Sequence, residues 1–412
     1  MASAKLQIRK DVAGLITFIS RWCPETHTAI CRWGEMTISL ESVAIMLNLP
    51  ITGNLNIILS DEEEKMHAIL VAKSAGFVRK DYETKCFYNW WVFEWFPDES
   101  EPDQVNSMLH VAAFLSLWLS RDIFDDGSGK KEIRQELIKL AIKLAKGVVL
   151  PIGGLFIGSL YTHLDHLAAD MYASNGYMKV DSYVHVTFLQ TWLWELLKNY
   201  ALNPLDSFPE SYGGSRILRW LNKRPRPGSN LIDFLENAYA VNFRPWSPVH
   251  VFIIQADAFA SAPNTTLLSA ENNMSVGEIV FMRSGIPRHV PSFFRGSYEA
   301  VPYNIDRSAR HMGFDQGVSF LRQSAAPEEL LSTALDASVL APDKILPFLL
   351  SERNPATTSR YNTFWQDEFL AIYGFVNDVV KDPCGKPSPA ILAKHPLLRS
   401  FPQLSGNLLV QI

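Results

Sequence analysis

The densest group of metal-ligating residue types in this 412-residue chain is His163, His166 and Asp170. On a helix these positions, i, i+3 and i+7, share one face. Imidazoles one turn apart can converge on a metal ion, which makes the three residues a weak candidate metal site. The segment lacks the glutamate of an H-E-x-x-H motif, and no second cluster of ligand residues completes a coordination shell. Structural or solvated histidines are the favoured interpretation, and the sequence predicts no metal or cofactor.

A second candidate is the basic segment 216–226, which carries Arg216, Arg219, Lys223, Arg224 and Arg226. On a helix, the first three of these residues share one face, and the last two extend the charge into a Pro-rich turn. Residues 216–311 contain 11 Lys or Arg against 7 Asp or Glu, a local net charge of +4 in a chain whose total is −5. One interpretation is contact with the phosphates of DNA or RNA, or a nuclear-import signal. The other is that the arginines pair with acidic neighbours at a helix end.

A DNA recombinase needs arginine, histidine and tyrosine around a scissile phosphate. This chain has Arg307, Arg310 and His311, with Tyr361 and Tyr373 downstream. Such an enzyme uses the tyrosine as its nucleophile. The H-x-x-R order that these enzymes show is absent here. The residues therefore support this alternative only weakly.

Other catalytic motifs are also missing from the sequence. Gly153 and Gly158 have the glycine spacing of a phosphate-binding loop, but Ser159 stands where that loop needs its lysine. There is no G-x-S-x-G nucleophile elbow. The sequence therefore predicts a protein that is not an enzyme.

The elements that carry these residues are predicted to be mainly helices. Helical signals, chiefly apolar residues at helical spacing, cover residues 10–22, 39–47, 105–120, 131–146, 183–200, 327–340 and 359–380. The acidic run at 61–64 predicts the start of a further helix over 61–73. Residues 260–325 are instead dense in Gly, Pro, Ser and Asn, with candidate short strands at 277–282 and 296–301. The prediction is a mainly α, multi-helix globular domain with a small irregular or β insertion at 260–325. Its parts are a lead-in at 1–20, a helical core at 20–258, the insertion, C-terminal helices at 327–380 and a loosely attached tail at 382–412.

Composition excludes several classes of protein. A net charge of −5 argues against a uniformly basic, polyanion-binding particle. The four cysteines form no CxxC pair and no disulfide framework, which favours a reducing compartment. The most apolar run, 147–161, is shorter than the roughly 20 residues that span a bilayer, so it is predicted to be buried core and no membrane contact is expected.

Three blocks of sequence carry a family resemblance. Residues 33–53 read WGEMTISLESVAIMLNLPITG, residues 147–161 form an apolar, glycine-containing stretch that ends in Leu-Tyr before a Leu-Asp pair, and residues 189–195 read LQTWLWE. In this order and spacing the blocks resemble the plant mobile domain family over roughly residues 20–380. The family pattern has Arg where this chain has His163, which explains the apparent histidine pair. The matching positions are Trp33, Gly34, Glu35, Met36, Thr37, Leu49, Pro50, Gly53, Tyr161, Asp165, Trp192, Trp194 and Glu195.

The resemblance implies a plant nuclear protein. The family occurs inside transposable elements and as host proteins that act in transposon silencing, gene expression and genome stability. Some relatives are fused to, or work with, a phosphoprotein phosphatase of the plant phosphatase-seven group, which makes such an enzyme the expected partner. The dimetal motifs of that phosphatase do not occur here, and no residue pattern supports the pyridoxal phosphate that the family's aminotransferase-like label suggests.

The family pattern contains no catalytic residues, so none is transferred to this chain. The matching positions are instead expected to be structural, with Thr37 or Ser39 capping a helix that Pro50 and Gly53 end. We expect a non-catalytic protein-interaction module in the nucleus. The cytosol, the other reducing compartment, is the alternative location. The alternative is a transposon-encoded or domesticated nucleic-acid-binding protein that uses residues 216–226.

Overall fold

The fold is described from a computed structural model of the chain. The residues described are 8–55, 57–75, 78–79, 82–83, 87–96, 107–124, 132–174, 180, 182, 184–205, 215–246, 252–253, 265–268, 276–285, 288–294, 296–313, 315–318, 327–338, 348–351 and 356–381. The predicted tail at 382–412 lies outside these residues. Among them, no helix combines the length and the apolar character needed to cross a bilayer.

The N-terminal part pairs two helices with a small antiparallel sheet. Helix α1 (Val12–Ile19) precedes strands β1 (Trp22–Cys23), β2 (Thr28–Cys31) and β3 (Gly34–Met36), which lie in that order, and helix α2 (Leu40–Leu47) follows. The Ser39 hydroxyl accepts a hydrogen bond from the backbone N–H of Ser42, so the predicted serine cap of α2 is confirmed. The helix ends at Asn48, whose φ of 56° is left-handed, and not at the predicted Pro50 and Gly53.

The next helices form a small core of their own. They are α3 (Asp61–Ser74), α4 (Tyr88–Trp95), α5 (Met108–Trp118) with its π-helical continuation Leu119–Ile123, and α6 (Ile138–Ala145) after the 3-10 turn Gln135–Leu137. Trp91 is fully buried there, and its indole Nε1 donates to the carbonyl oxygen of Ala113 at 2.9 Å. We call this cluster the satellite core; its members are Met66, Leu70, Trp91, Trp95, Ala112, Ala113, Leu117, Ile133, Ile138 and Ile142.

The main core surrounds two apolar helices, α7 (Ile152–Ser174) and α8 (Val186–Leu196). Its members include Phe18, Ile38, Leu155, Tyr161 and Trp192. Residues 150–161 of the apolar run are thus buried core, as predicted, whereas Gly147, Val148 and Val149 at its start are exposed.

A β-hairpin, β8 (His289–Phe294) and β9 (Ser297–Pro302), packs against α7. A Cβ atom on Gly158 would lie 2.4 Å from the carbonyl oxygen of Pro291, so only glycine permits this approach. The neighbouring Ser159 hydroxyl donates to the carbonyl oxygen of Phe293 at 2.8 Å. The glycine spacing that resembles a phosphate loop therefore serves helix–strand packing.

The remaining elements complete the fold. They are the 3-10 helices Arg216–Trp220, Ala238–Ala240 and Ile305–Met312, helices α9 (Leu231–Leu235), α10 (Val276–Ser284), α11 (Pro327–Ser338) and α12 (Ser359–Lys381), the pair β4 (Val78–Arg79) and β5 (Tyr82–Glu83), and the strands β6 (Phe252–Ile253), β7 (Thr265–Leu268) and β10 (Phe348–Ser351). The last three form a sheet in the order β6-β10-β7.

The mainly α fold with small β elements is confirmed, with two local corrections. Residues 277–282, predicted as a strand, lie within helix α10, because a short apolar run does not distinguish a strand from a buried helix. The strand predicted at 296–301 is β9. Residues 216–226, predicted as a helix, form only the short 3-10 helix Arg216–Trp220.

Candidate functional site

The signature glutamate Glu35 lies on β3 in a buried ion pair. Its carboxylate accepts hydrogen bonds from Arg307 Nε at 2.8 Å and from Thr28 Oγ1 at 2.6 Å. Only 2% of the Glu35 side chain and 15% of the Arg307 side chain are exposed. Burial lowers the pKa of the Arg307 guanidinium, but the charge of Glu35 and its hydrogen bond outweigh burial, so the net pKa is raised. The pair holds β3 against the 3-10 helix Ile305–Met312.

A second polar cluster is centred on Asp165 of α7. One carboxylate oxygen accepts from Trp22 Nε1 at 2.7 Å, and the other lies 3.0 Å from His27 Nε2. The other ring nitrogen of His27 is 2.7 Å from the carbonyl oxygen of Pro302. Both ring nitrogens of His27 therefore face oxygen atoms. The ring also stacks on Tyr161, with centroids 5.1 Å apart, so the cluster ties the β1–β2 turn to α7 and β9.

The signature residues Thr37 and Tyr161 extend this cluster. The Tyr161 hydroxyl donates to the carbonyl oxygen of Ile38 at 2.5 Å, and Thr37 Oγ1 donates to that of His27 at 2.6 Å. Burial raises the pKa of the Tyr161 phenol, so the hydroxyl stays protonated and remains a donor at neutral pH. Both hydroxyls thus hold the chain between β3 and α2 against α7.

A third buried ion pair joins Glu41 of α2 to Arg244. Arg244 Nε lies 3.0 Å and 3.2 Å from the two carboxylate oxygens of Glu41, and Nη2 also donates to that carboxylate. The guanidinium stacks on Phe281, with Cζ 4.0 Å from the ring centroid. A fork of this kind fixes orientation as well as distance.

The signature glutamate Glu195 engages the first half of the basic segment. Glu195, on α8, is almost fully buried and accepts from Arg216 Nε at 3.1 Å and from Trp220 Nε1 at 2.8 Å. Arg219 Nη1 lies 3.5 Å from the same carboxylate. These two arginines therefore pair with an acidic neighbour, which is the alternative that the sequence left open.

The second half of the basic segment lies nearer the solvent. Asn222 has a φ of 59°, and the 3-10 helix ends before it, so Lys223 does not share a helix face with Arg216 and Arg219 as predicted. Lys223 is half-buried, whereas Arg224 and Arg226 are exposed. Arg226 Nε donates to the carbonyl oxygen of Asn199 at 3.1 Å. Any anionic partner of this segment would meet Arg224 and Arg226 first.

The candidate metal ligands are arranged for packing. His166 stacks on Phe294 with ring centroids 4.8 Å apart, and the buried His163 meets the same ring at 5.5 Å with an interplanar angle of 67°. Asp170 is exposed one turn beyond His166. Within the described part of the chain, no group of three or more His, Cys, Asp or Glu side chains is placed to hold a metal ion.

The residues of the recombinase alternative partly come together. Arg307 and Arg310 lie close enough to Tyr361 for their charges to lower the pKa of its phenol, but burial and the charge of Glu35 raise that pKa by more. A phenol held neutral is a poor nucleophile, and Arg307 is occupied by Glu35. The side chain of Tyr373 lies outside the described residues.

The remaining signature residues shape the main core. Gly53 has a φ of 149°, and a Cβ atom there would lie 2.4 Å from the carbonyl oxygen of Val149, so glycine is required. The carbonyl oxygen of Pro50 accepts from the backbone N–H of Gly153 at 2.8 Å. Apolar signature positions that are buried include Met36, Leu49, Trp192 and Trp194.

Sequence reasoning missed the residues that complete the buried pairs. His27, Glu41 and Arg244 were not singled out, and Arg307 was assigned to other chemistry. One signal could have found them, because charged residues are almost never buried unless paired. A glutamate such as Glu35 or Glu41 inside an otherwise apolar signature therefore predicts a distant cationic partner.

Comparison with known proteins supports the family resemblance. The family model described as plant mobile domain matches residues 1–324. A curated relative, the serine/threonine-protein phosphatase 7 long form homolog of Arabidopsis thaliana, is 26% identical over 196 residues. That match covers 46% of this chain and only 14% of the relative. No solved structure is significantly similar to this chain.

Proposed function

The chain belongs to the plant mobile domain family, and from this premise we propose that it is a non-catalytic protein-interaction module. We place it in the nucleus, in transposon silencing, gene expression or genome stability. The observation that supports the proposal is that the polar signature residues form hydrogen bonds with other side chains of the same chain. Glu35, Asp165 and Glu195 each accept hydrogen bonds from at least two side chains. Carboxylates engaged in this way are poorly available to a substrate.

The partner that we propose is a phosphoprotein phosphatase of the plant phosphatase-seven group. In support, the Arabidopsis relative is named as a phosphatase 7 homolog, and its match to this chain covers only 14% of its length. The 412 residues here contain none of the dimetal phosphatase motifs. A chain that resembles part of a phosphatase-named protein, and whose 412 residues lack those motifs, is suited to bind such an enzyme.

The contact surface that we propose is the exposed apolar face of α4. Phe93 is 73% exposed, and the adjacent Val92 and the N-cap residue Phe87 are also exposed. Large apolar side chains left in water at neighbouring positions are typical of protein-binding surfaces. The face lies on the satellite core, away from the buried pairs that the signature forms.

Affinity capture from plant nuclear extract tests the proposal. The full chain, immobilised, is expected to recover a phosphatase-seven protein identified by mass spectrometry, and Phe93→Ser is expected to reduce that recovery at least fivefold. Leu370→Ser is the matched control, because Leu370 is 59% exposed on α12 and far along the chain from α4. Failure of the native chain to recover such a phosphatase, or its failure to bind the purified enzyme, would contradict the proposed partner. A fluorescent fusion in plant cells tests the nuclear location.

A second candidate function is nucleic-acid binding by a transposon-encoded or domesticated protein. The exposure of Arg224 and Arg226 favours it, since phosphate contacts need accessible cations. At low salt, the double variant Arg224→Glu, Arg226→Glu is expected to bind mixed-sequence DNA at least tenfold more weakly than the native chain. The control, Lys10→Glu with Lys65→Glu, makes the same charge change at two other exposed positions. Equal loss in both variants would reduce the effect to net charge, and undetectable binding by the native chain would end this candidate.

A further inference from the structure

An aromatic cleft surrounds Arg310 in the main core. Arg310 Cζ lies 3.9 Å from the ring centroid of Phe243 and 5.9 Å from that of Trp33. Phe243 meets Trp33 edge-on at 5.1 Å and His311 at 5.2 Å, and His311 stacks on Trp192 below it. We call these five residues the Arg310 cleft.

Arg310 is the member of the cleft that carries a charge, and it makes no hydrogen bond or ion pair within the described residues. Its Nε is inaccessible to solvent and has no acceptor among the described residues, while the residue as a whole is half-buried. Burial lowers the pKa of the guanidinium, and its interaction with Tyr361 does not compensate. A partly desolvated cation without an anion is costly to maintain.

Neighbouring arginines do not share this state. Arg307, one turn earlier, holds Glu35, and Arg244 holds Glu41. Arg244 also packs on an aromatic ring, that of Phe281, and its guanidinium is paired with a carboxylate. Arg310 has the same stacked, oriented guanidinium with the acceptor missing.

Three further polar atoms of the cleft lack partners. Trp33 Nε1, Trp192 Nε1 and His311 Nε2 are inaccessible to solvent, and none has a hydrogen-bond partner among the described residues. The His311 ring is 3% exposed. Buried polar atoms without partners are rare in native proteins, and several around one cation indicate a site for a polar ligand.

The charge of the cleft selects the kind of anion. Arg307 is neutralised by Glu35, and burial together with the charge of Arg310 lowers the pKa of His311 to about 3, so the imidazole is neutral at pH 7. The cleft thus offers one positive charge. A monoanion matches it, whereas a phosphate dianion would leave one negative charge uncompensated.

We propose that the Arg310 cleft binds a single carboxylate, which accepts a forked pair of hydrogen bonds from the Arg310 guanidinium against the Phe243 and Trp33 rings. The planar guanidinium matches a carboxylate with two parallel N–H···O bonds. The carboxylate comes from a free small molecule with an apolar body or from a Glu or Asp side chain of a peptide, and the same contacts serve both. This site goes beyond the proposed interaction function and does not depend on the α4 face.

Calorimetric titration of the purified full chain tests the ligand. Sodium benzoate and the blocked peptide acetyl-Gly-Glu-Gly-amide are the two carboxylate probes; the Gln version of the peptide and inorganic phosphate are the comparisons. At least one carboxylate probe is expected to bind more tightly than phosphate, and the tighter of the two identifies the source. Arg310→Lys, which keeps the charge but loses the fork, is expected to weaken binding about tenfold or more. Absence of binding by both carboxylates, or tighter binding of phosphate, overturns the proposal.

Thermal unfolding without ligand supplies an independent readout. Arg310→Met is expected to leave the Tm unchanged or to raise it, because it removes an unpaired charge, while Arg307→Met is expected to lower the Tm by several degrees. A fall in Tm for Arg310→Met as large as that for Arg307→Met would show that Arg310 serves a structural partner. That result would overturn the assignment even if the variant no longer bound carboxylate.

Discussion

The main core and the satellite core differ in where their charges lie. In the main core, the carboxylates of Glu35 and Glu41 are each 2% exposed and meet arginines. In the satellite core, Glu62 is 75% exposed in its pair with Lys146, and Lys73 is 47% exposed in its pair with Glu94. The satellite core also leaves Phe93 in water. The main core thus buries both of these pairs, whereas the satellite core leaves these two exposed and buries one other pair, Lys143–Glu63.

The two sets of ion pairs also differ in the distance along the chain that they bridge. Glu35 and Arg307 are 272 residues apart, and Glu41 and Arg244 are 203 apart. Lys73 and Glu94 are 21 apart. Buried pairs add little net stability over apolar side chains, but a broken one is expensive, which penalises every arrangement that separates the partners. Glu35 and Glu41 therefore specify how remote segments meet, whereas the pairs Lys73–Glu94 and Lys146–Glu62 lie at the surface.

Arg307→Met tests this difference most strongly. The substitution leaves Glu35 charged and buried without its cation, which costs about 3–5 kcal/mol. The free energy of unfolding measured in urea should fall by that amount. The double variant Glu35→Gln, Arg307→Met removes both charges and should recover part of the loss. A single variant that costs under about 1 kcal/mol would place the Glu35 pair with the surface pairs and end the distinction between the two regions.

The helices could be predicted from the sequence, but the elements that carry Glu35 could not. Helical periodicity over ten or more residues marked α5 and α12, because burial of one face repeats every turn. Strands β1, β2 and β3 have two to four residues and are buried on both faces, so they show no alternation. The strand prediction for residues 277–282 was wrong because the apolar run of helix α10 is as short as a strand.

The candidate site could be predicted in its residues but not in its contacts. The signature identified Glu35, Asp165 and Glu195, and it predicted that they are structural. Their partners are set by the tertiary fold, and no local spacing connects Glu35 to Arg307. The pairing of Arg216 with Glu195 was foreseen only as one of two alternatives, since the sequence shows charge but not burial.

A second prediction uses the pH dependence of the main core. The pKa of His311 is about 3, against an ordinary value near 6.5, because burial and Arg310 disfavour the charged ring. His311 is neutral in the native state and takes up a proton on unfolding below pH 6.5. The free energy of unfolding is therefore unaffected by this group above pH 6.5 and declines as the pH falls from 6.5 toward 3. The slope is about 1.4 kcal/mol per pH unit, or about 2 kcal/mol between pH 6.5 and 5.

Urea unfolding of the native chain and of His311→Phe across this range measures the difference. The phenylalanine keeps the ring against Trp192 and Phe243 and cannot titrate. The native chain should lose stability faster than the variant as the pH falls from 6.5 to 5. Parallel curves would mean that His311 is charged or exposed in the native state. That result would contradict the buried, neutral ring in the main core.

The smallest effect is expected at the best-buried pair of the satellite core. Lys143 Nζ donates to Glu63 at 2.7 Å, and this bond, followed by the backbone N–H of Ser60, lowers the pKa of Glu63. Stability from a lowered carboxyl pKa is present above the ordinary value near 4.5 and is lost as the pH falls below it. Lys143→Met should therefore cost less than Arg307→Met at pH 7, because the backbone N–H of Ser60 still donates to Glu63, and the difference from the native chain should shrink below pH 4.5. Lys65→Met is the control, since it removes the same charge from an exposed position on α3. A loss at pH 7 as large as that of Arg307→Met would mean that the satellite core also depends on a buried pair, and the two regions would then differ in the chain distance they bridge and not in how they use charge.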